Sequence, residues 1–209
     1  AGGLWDKYPV MQVASAEGYV RDPELVIDFY NERRKQLLDV EPNAGHTGLA
    51  ELEKDFNVTV VTQNVDNLHE RAGSTHVIHL HGELTKVCSS RDPYNPRYVR
   101  ELKPEEYEVK MGDKAGDGSQ LRPFIVWFGE AVPEIETAIG YVEKADIFVI
   151  IGTSMNVYPA AGLLNYVPRT AEVYLIDPKP VDTHSMRQIH VIQKGASEGV
   201  KELKTEILH

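Results

Sequence analysis

Between Val58 and Gly82 the chain concentrates side chains able to hold a polar ligand or move a proton. The apolar run Val58-Thr59-Val60-Val61 gives way at once to Thr62-Gln63-Asn64-Val65-Asp66-Asn67. Gln63, Asn64, Asp66 and Asn67 place three amides and a carboxylate within five positions. Such groups offer donors and acceptors in fixed pairs, which suits sugar hydroxyls and a carboxamide. The same residue types cap helices, and Asp66 or Asn67 would equally start a helix over Leu68–Ala72. Four histidines come next: His69, His76, His79 and His81. An imidazole titrates close to operating pH, which makes it the natural general base. His69 falls inside the expected helix. His76 and His79 lie in the strand-like stretch Thr75–Leu84, where either would serve as a partly buried structural residue. His81 stands before Gly82 where that strand ends.

The elements that must position these groups alternate in type. Val58–Val61, Ile147-Phe148-Val149-Ile150-Ile151 and Val173-Tyr174-Leu175-Ile176 each read as a strand buried on both faces, and His190-Val191-Ile192 as a shorter one. Amphipathic stretches at Pro133–Lys144, Ala160–Tyr166 and Ser197–Leu208 read as helices, so the expected class is α/β with a parallel sheet. Each apolar run ends in a small or polar cluster: Thr62-Gln63-Asn64, Gly152-Thr153-Ser154, Asp177-Pro178 and Gly195-Ala196. Ligands of open parallel sheets bind outside the carboxyl ends of the strands, although ordinary strand-to-helix loops favour the same residues. Residues 23–55 stand apart as two helices. One starts at Pro23 and carries Leu25, Val26, Phe29, Tyr30 and Leu37 at helical spacing; the other runs from Asn43 to Phe56. Residues 85–122, rich in Pro, Gly and charge, read as an irregular and mobile insertion.

Composition narrows the function classes. Hydrophobic residues make up 42% and charged residues 26%, which is globular rather than disordered. No apolar run approaches the roughly 18 residues of a membrane span, and no leader pattern is visible. A net charge of -10 argues against binding a phosphate backbone while leaving basic peptide segments attractive. Cys88 is the single cysteine, so neither an internal disulfide nor a multi-cysteine zinc site is expected, and a reducing, cytoplasmic location is.

The segment Thr62–Gly73 resembles the signature of the sirtuin family. Three further segments agree with that family in order and spacing: His79-Leu80-His81-Gly82-Glu83-Leu84, Val126-Trp127-Phe128-Gly129-Glu130, and Gly152-Thr153-Ser154 with Val157-Tyr158-Pro159-Ala160-Ala161. The resemblance covers most of the chain from Gly3 to Leu203. It implies a Rossmann-like NAD-binding domain, with helices on both faces of its sheet, formed by residues 1–22, 56–84 and 123–209. A smaller lobe would come from two insertions, 23–55 and 85–122. It also implies an NAD-dependent protein-lysine deacylase that acts on acyl-lysine proteins or peptides. No nucleic-acid or membrane partner is implied, and a monomer is expected. In the implied mechanism the acyl oxygen attacks C1′ of the nicotinamide ribose and expels nicotinamide. His81 then withdraws a proton from the ribose hydroxyls, so that 2′-O-acyl-ADP-ribose can form. By the same resemblance Asn64 orients ribose and water, Gln63 contacts ribose hydroxyls, and Asp66 holds the carboxamide. Gly152, Thr153 and Ser154 would face the phosphates, with Lys194, Gly195 and Ala196 near the adenine. Asp177 would meet the adenosine ribose, at a position where the family more often has Asn. Val126–Glu130 would be an edge strand that pairs with the substrate backbone.

Tyr30 and Arg33 lie three apart on one helix face. Arg33-Arg34-Lys35 alone would pass for a solvated basic turn. Yet Phe29-Tyr30-Asn31-Glu32-Arg33 matches the Tyr-x-x-Arg pattern of sirtuins that remove succinyl and malonyl groups, where a guanidinium forks onto the distal carboxylate and a phenol adds a hydrogen bond. The chain departs from the family in two places. Cys88 stands alone where a first zinc-binding cysteine pair would begin, so no metal is expected. The Gly-Ala-Gly phosphate loop is missing, and Ala1-Gly2-Gly3-Leu4-Trp5 resembles the stretch just downstream of that loop; the expectation is that the protein continues upstream, the alternative being a fragment that lacks a central strand and half the phosphate cradle. Two rival readings remain: a non-catalytic NAD- or ADP-ribose-binding module, and a mono-ADP-ribosyltransferase.

Overall fold

Asp22 accepts a hydrogen bond from the Leu25 backbone N–H, and Pro23 takes the first helical turn, where its missing N–H costs nothing. These residues start the longest helix in the computed structural model, which describes residues 7–152, 160–183 and 187–208. The helices run in order as α1 (Val10–Val13), α2 (Ala16–Arg21), α3 (Pro23–Leu37), α4 (Ala44–Glu51), α5 (Leu68–Arg71), α6 (Ile135–Val142), α7 (Ala160–Leu163) and α8 (Ala196–Ile207). The strands are β1 (Val60–Thr62), β2 (Val77–His79), β3 (Gly82–Ser89), β4 (Arg100–Glu101), β5 (Leu121–Ile125), β6 (Ile147–Ile151), β7 (Glu172–Ile176) and β8 (His190–Ile192).

The described chain divides into two compact units. One holds the described parts of Ala1–Glu41, Gln63–Asn67 and His79–Pro133; the other holds those of Pro42–Thr62, Leu68–Ile78 and Glu134–His209. This differs from the expected lobe of 23–55 plus 85–122. Helix α4 belongs with the parallel strands because its small residues let it lie close to α8: a side chain added at Gly45 would meet Ala196, and one at Gly48 would meet Val200. Asn43 caps α4 in a reciprocal box with His46, which is why the second expected helix starts where the sequence predicts. It ends early, at Glu51, and continues only as a short 3-10 turn over Leu52–Lys54.

In the second unit β6, β7 and β8 form a parallel sheet in that order, with Ile147 opposite Glu172 and Tyr174 opposite His190. Leu52, Tyr174, Ile176, Ile192, Val200 and Leu203 form one core cluster against α8. Val173 and Leu175, which alternate onto the other face of β7, are fully buried as well, as expected of a strand covered on both sides. The α/β class is therefore as read from the sequence. β6 departs from expectation, since all five of its residues are only half-buried. Among the described strands it has a neighbour on one side only.

In the first unit residues 85–122 are an ordered antiparallel sheet rather than an irregular insertion. β3 pairs with β5 and, on its other edge, with β4. Ile27, Val87, Leu102, Val109, Ala115 and Leu121 close a core beneath it. Polar groups finish the ordering. Ser89 Oγ donates to Asp117 Oδ2 at 2.5 Å and accepts from the backbone N–H groups of Arg91 and Asp92. The hydroxyls of Ser119 and Ser89 hold the Asp117 carboxyl down to about 2. Asn31 on α3 pairs with both the N–H and the C=O of Val109, at 2.9 and 2.7 Å. No described helix is long and apolar enough to cross a membrane.

Candidate active site

His81 occupies the turn between β2 and β3. Gly82 makes that turn possible. Its φ is +88°, and a Cβ there would collide with the Phe124 carbonyl oxygen as β5 passes. The His81 backbone carbonyl accepts from the Val126 N–H at 2.9 Å, so the turn is fastened at both ends. The ring is half-buried, and burial lowers its pKa from the ordinary value near 6.5. Among the described residues no hydrogen bond or ion pair to the ring is found. Such an imidazole is neutral at neutral pH and has its lone pair available, which is what a general base requires.

The other three histidines have structural partners. His69 on α5 packs its ring on His46, with centroids 4.7 Å apart. His76 Nδ1 lies 2.9 Å from Thr59 Oγ1, and its ring packs on Tyr141. His79 is buried, and its Nδ1–H donates to the Asn64 carbonyl at 3.0 Å. A second backbone bond, from Leu84 N–H to the Val65 carbonyl at 2.7 Å, ties the Gln63–Asn67 segment to β3. Gln63, Asn64, Asp66 and His81 thus share one unit, held by short bonds. Asn67 Oδ1 is buried there without a partner. A carbonyl oxygen in that state lacks a donor such as a carboxamide or sugar hydroxyl would supply.

Tyr30 and Arg33 belong to the same unit, on α3. The Arg33 guanidinium lies over the rings of Phe29 and Tyr30, 5.8 and 5.7 Å from their centroids. Burial lowers its pKa, and the neighbouring Tyr30 and Asp66 pull it back up. Tyr30 is fully buried, and its hydroxyl oxygen accepts from Trp127 Nε1–H at 3.1 Å. Burial raises the phenol's pKa, opposed by Trp127 and by the charges of Arg33, Arg122 and Arg34, so the hydroxyl keeps its proton at neutral pH. Arg34, the next residue, does something else. It is buried and donates to the carbonyls of Tyr107 and Leu84 and to Asn31 Oδ1.

Val126–Glu130 is not the edge strand expected. β5 stops at Ile125, Phe128 makes a single parallel bridge with Ser15, and Gly129 turns the chain at φ +87°. The Glu130 carboxylate explains why. It takes the Trp127 backbone N–H at 2.8 Å, which ladder pairing would otherwise use, together with Arg122 and the Tyr94 hydroxyl. Burial pushes the Glu130 carboxyl up, but these partners outweigh it and its pKa falls below the carboxylate norm. Trp127 is buried under Arg122, whose Cζ lies 3.8 Å from the ring centroid, whereas Phe128 is 63% exposed. Arg122, Tyr94 and Arg34 were missed from the sequence because nothing in their spacing separates them from surface residues. Cys88 is buried and its thiol is pushed up to about 12, which suits neither a nucleophile nor a metal ligand.

In the second unit Gly152, Asp177 and Ala196 stand at the carboxyl ends of the neighbouring strands β6, β7 and β8. Gly152 adopts φ +61° with open space where a Cβ would point, and Gly195 starts α8 without a side-chain cap. Uncapped N–H groups and bare backbone at strand ends fit a dinucleotide. One Asp177 oxygen accepts from the Lys179 N–H at 2.8 Å. Thr153 and Ser154 lie outside the described residues.

These features describe an α/β protein that combines bare backbone at its strand ends with a half-buried histidine and a buried tyrosine–arginine cluster. The Sir2 family model matches residues 1–159. An "NAD-dependent protein deacylase" of Bacteroides thetaiotaomicron is 84% identical over 204 residues, covering 98% of this chain and 87% of that protein. A crystal structure of a Sir2 homolog–NAD complex matches at TM-score 0.82 and 34% identity, covering 99% of this chain and 80% of its own. A structure described as Sir2–p53 peptide–NAD+ matches at TM-score 0.74 and 29% identity, covering 95% and 84%. The chain belongs to the Sir2 family.

Proposed function

We propose that this NAD-dependent protein deacylase removes acidic acyl groups, succinyl and malonyl, from lysine as well as acetyl. The deacylase activity itself rests on the family and on the relatives' shared name. One observation carries the acyl preference. The Tyr30 hydroxyl is buried, keeps its proton, has its oxygen engaged by Trp127, and lies in the field of Arg33, Arg34 and Arg122. A carboxylate at the far end of an acyl chain is the kind of partner a guanidinium beside a protonated phenol binds.

NAD supplies the ribose that receives the acyl group and the nicotinamide that leaves. The chain's own residues do the rest. His81, neutral at working pH, takes a ribose hydroxyl proton on an imidazole nitrogen. Asn64 orients that ribose and a water, its carbonyl pinned by His79. Gln63 meets sugar hydroxyls and Asp66 the carboxamide. Gly152, Thr153 and Ser154 are candidates for the phosphates, and Asp177 and Ala196 for the adenosine. Val126–Glu130 is the candidate surface for the substrate backbone, with Phe128 exposed.

Replacing Arg33 with Met tests the reading. It should lower kcat/KM on a succinyl-lysine peptide about 100-fold while acetyl-lysine turnover changes by less than about threefold. Equal losses on both peptides would remove the acyl assignment.

A further inference from the structure

We infer that Tyr94 is a positioning residue for peptide substrates, acting through the Glu130 carboxylate that shapes the turn over Val126–Glu130. This rests on the reading of that turn as the surface for the substrate backbone. The turn is set by where its N–H groups go. Those of Val126, Trp127 and Phe128 meet, in succession, the His81 carbonyl, the Glu130 carboxylate and the Ala14 carbonyl. Two of these acceptors are backbone and stay where the fold puts them. The third is the end of a flexible side chain, so the turn is only as firm as the orientation of that carboxylate.

Glu130 is held from two directions. Arg122 forks onto it, with Nη1 at 3.2 Å from Oε2 and Nη2 at 3.3 Å from Oε1. Both contacts are long for a charge-assisted bond, so the fork supplies charge more than direction. The Tyr94 hydroxyl donates to Oε1 at 2.9 Å, and that same oxygen takes the Trp127 N–H at 2.8 Å. Tyr94 therefore pins the one atom on which the turn depends. The loop after β3 brings it there. Ser89 Oγ accepts from the N–H groups of Arg91 and Asp92, the Asp92 carbonyl accepts from the Asn95 N–H, and the Tyr94 ring packs edge-on against Phe124. Packing on Phe124 needs the ring alone, and a phenylalanine would serve there. Only the bond to Glu130 needs the hydroxyl.

Steady-state kinetics on two acetyl substrates test it. One is a peptide with residues on both sides of the acetyl-lysine; the other is an Nα-acetylated Nε-acetyl-lysine amide with no flanking residues. Tyr94→Phe keeps the ring and removes one oxygen. It should raise KM for the peptide about tenfold, the lower end of what a hydrogen bond to a charged group is worth, and leave kcat within about twofold. Both constants for the single residue should stay as in wild type, a split that general loss of stability would not produce. Equal losses on the two substrates, or a peptide KM that does not move, would overturn the inference. Gly129→Val separates this from the reading beneath it, because it sets a β-branched residue at φ +87° and must distort the turn. A peptide KM indifferent to Gly129→Val would show that the turn does not carry the substrate, and the surface reading would fail. A KM raised by Gly129→Val and untouched by Tyr94→Phe would remove the role of Tyr94 alone.

Discussion

Different physics holds each of the two units together. The second is an apolar device: isoleucines, valines and leucines from β6, β7, β8 and α8 pack on one another, and glycines let α4 approach α8 and α8 approach β7 closely. The first has an apolar core of its own but is threaded with buried polar side chains, Asn31, Arg34, Ser89, Arg122 and His79, each bonded to backbone or to a partner. Apolar packing is non-directional and tolerates small shifts, whereas a hydrogen bond fixes distance and angle. The second unit is thus a platform for strand ends. The first is where imidazole, amide and guanidinium must stand in set orientations. Substitutions in the first unit should therefore divide into those that change chemistry and those that change stability, while those in the apolar core of the second should change stability alone.

The largest effect expected is on turnover. His81→Ala should lower steady-state formation of deacylated peptide and 2′-O-acyl-ADP-ribose about 10³-fold, the order general-base catalysis supplies, and leave the melting temperature within a degree or two at pH 8. A variant that melted much lower would show the ring to be structural, and the contrast between the units would weaken. Next comes the pair of adjacent arginines. Arg33→Met should strike succinyl turnover and spare stability. Arg34→Met should do the reverse, costing about 3 kcal/mol in denaturant unfolding, because the Tyr107 and Leu84 carbonyls and Asn31 lose their donor inside the protein.

That pair also shows where sequence reasoning reaches its limit. Arg33 and Arg34 are indistinguishable as letters in a basic run; which one faces a ligand depends on the rotation of α3 against β3. The starts of α3 and α4 were legible because Asp22-Pro23 and Asn43 act within one turn of themselves. The parallel strands were legible from unbroken apolar runs, and the candidate site from the dense polar cluster and its family resemblance. The sheet over residues 85–122 was not. Its pairing joins Ser89 to Leu121, far apart along the chain, and its order comes from serine hydroxyls and the Asp117 carboxylate, which leave no periodic trace. Val126–Glu130 looked like a strand for a related reason. The family resemblance and the apolar run Val126-Trp127-Phe128 predict extension, but the Glu130 carboxylate takes an N–H that only the folded chain brings to it.

In the second unit the test is steric. Gly199 on α8 lies against Ile176, and a methyl added there would collide with the Ile176 Cγ2. Gly199→Ala should destabilise by about 1–3 kcal/mol, as overpacking does, with the ratio of succinyl to acetyl turnover unchanged at a temperature where the variant is folded. A shifted ratio would mean that the platform tunes chemistry after all.

The smallest effect concerns protons at His81. Burial lowers the folded pKa of this ring below its ordinary 6.5, with no partner charge assisting. Two consequences have opposite readouts. The base must be neutral, so the acid limb of kcat/KM should have its midpoint below 6.5. Between the lowered folded pKa and 6.5 the unfolded chain binds more protons than the folded one at this position, so stability rises with pH across that window and the penalty vanishes above it. His81→Gln lacks the titrating ring. Its melting temperature should therefore match wild type at about pH 8 and exceed it slightly at about pH 5.5. A variant that melts below wild type in acid would require a native partner for the charged ring. His81 would then be one more strut of the polar network rather than the group the network was built to present.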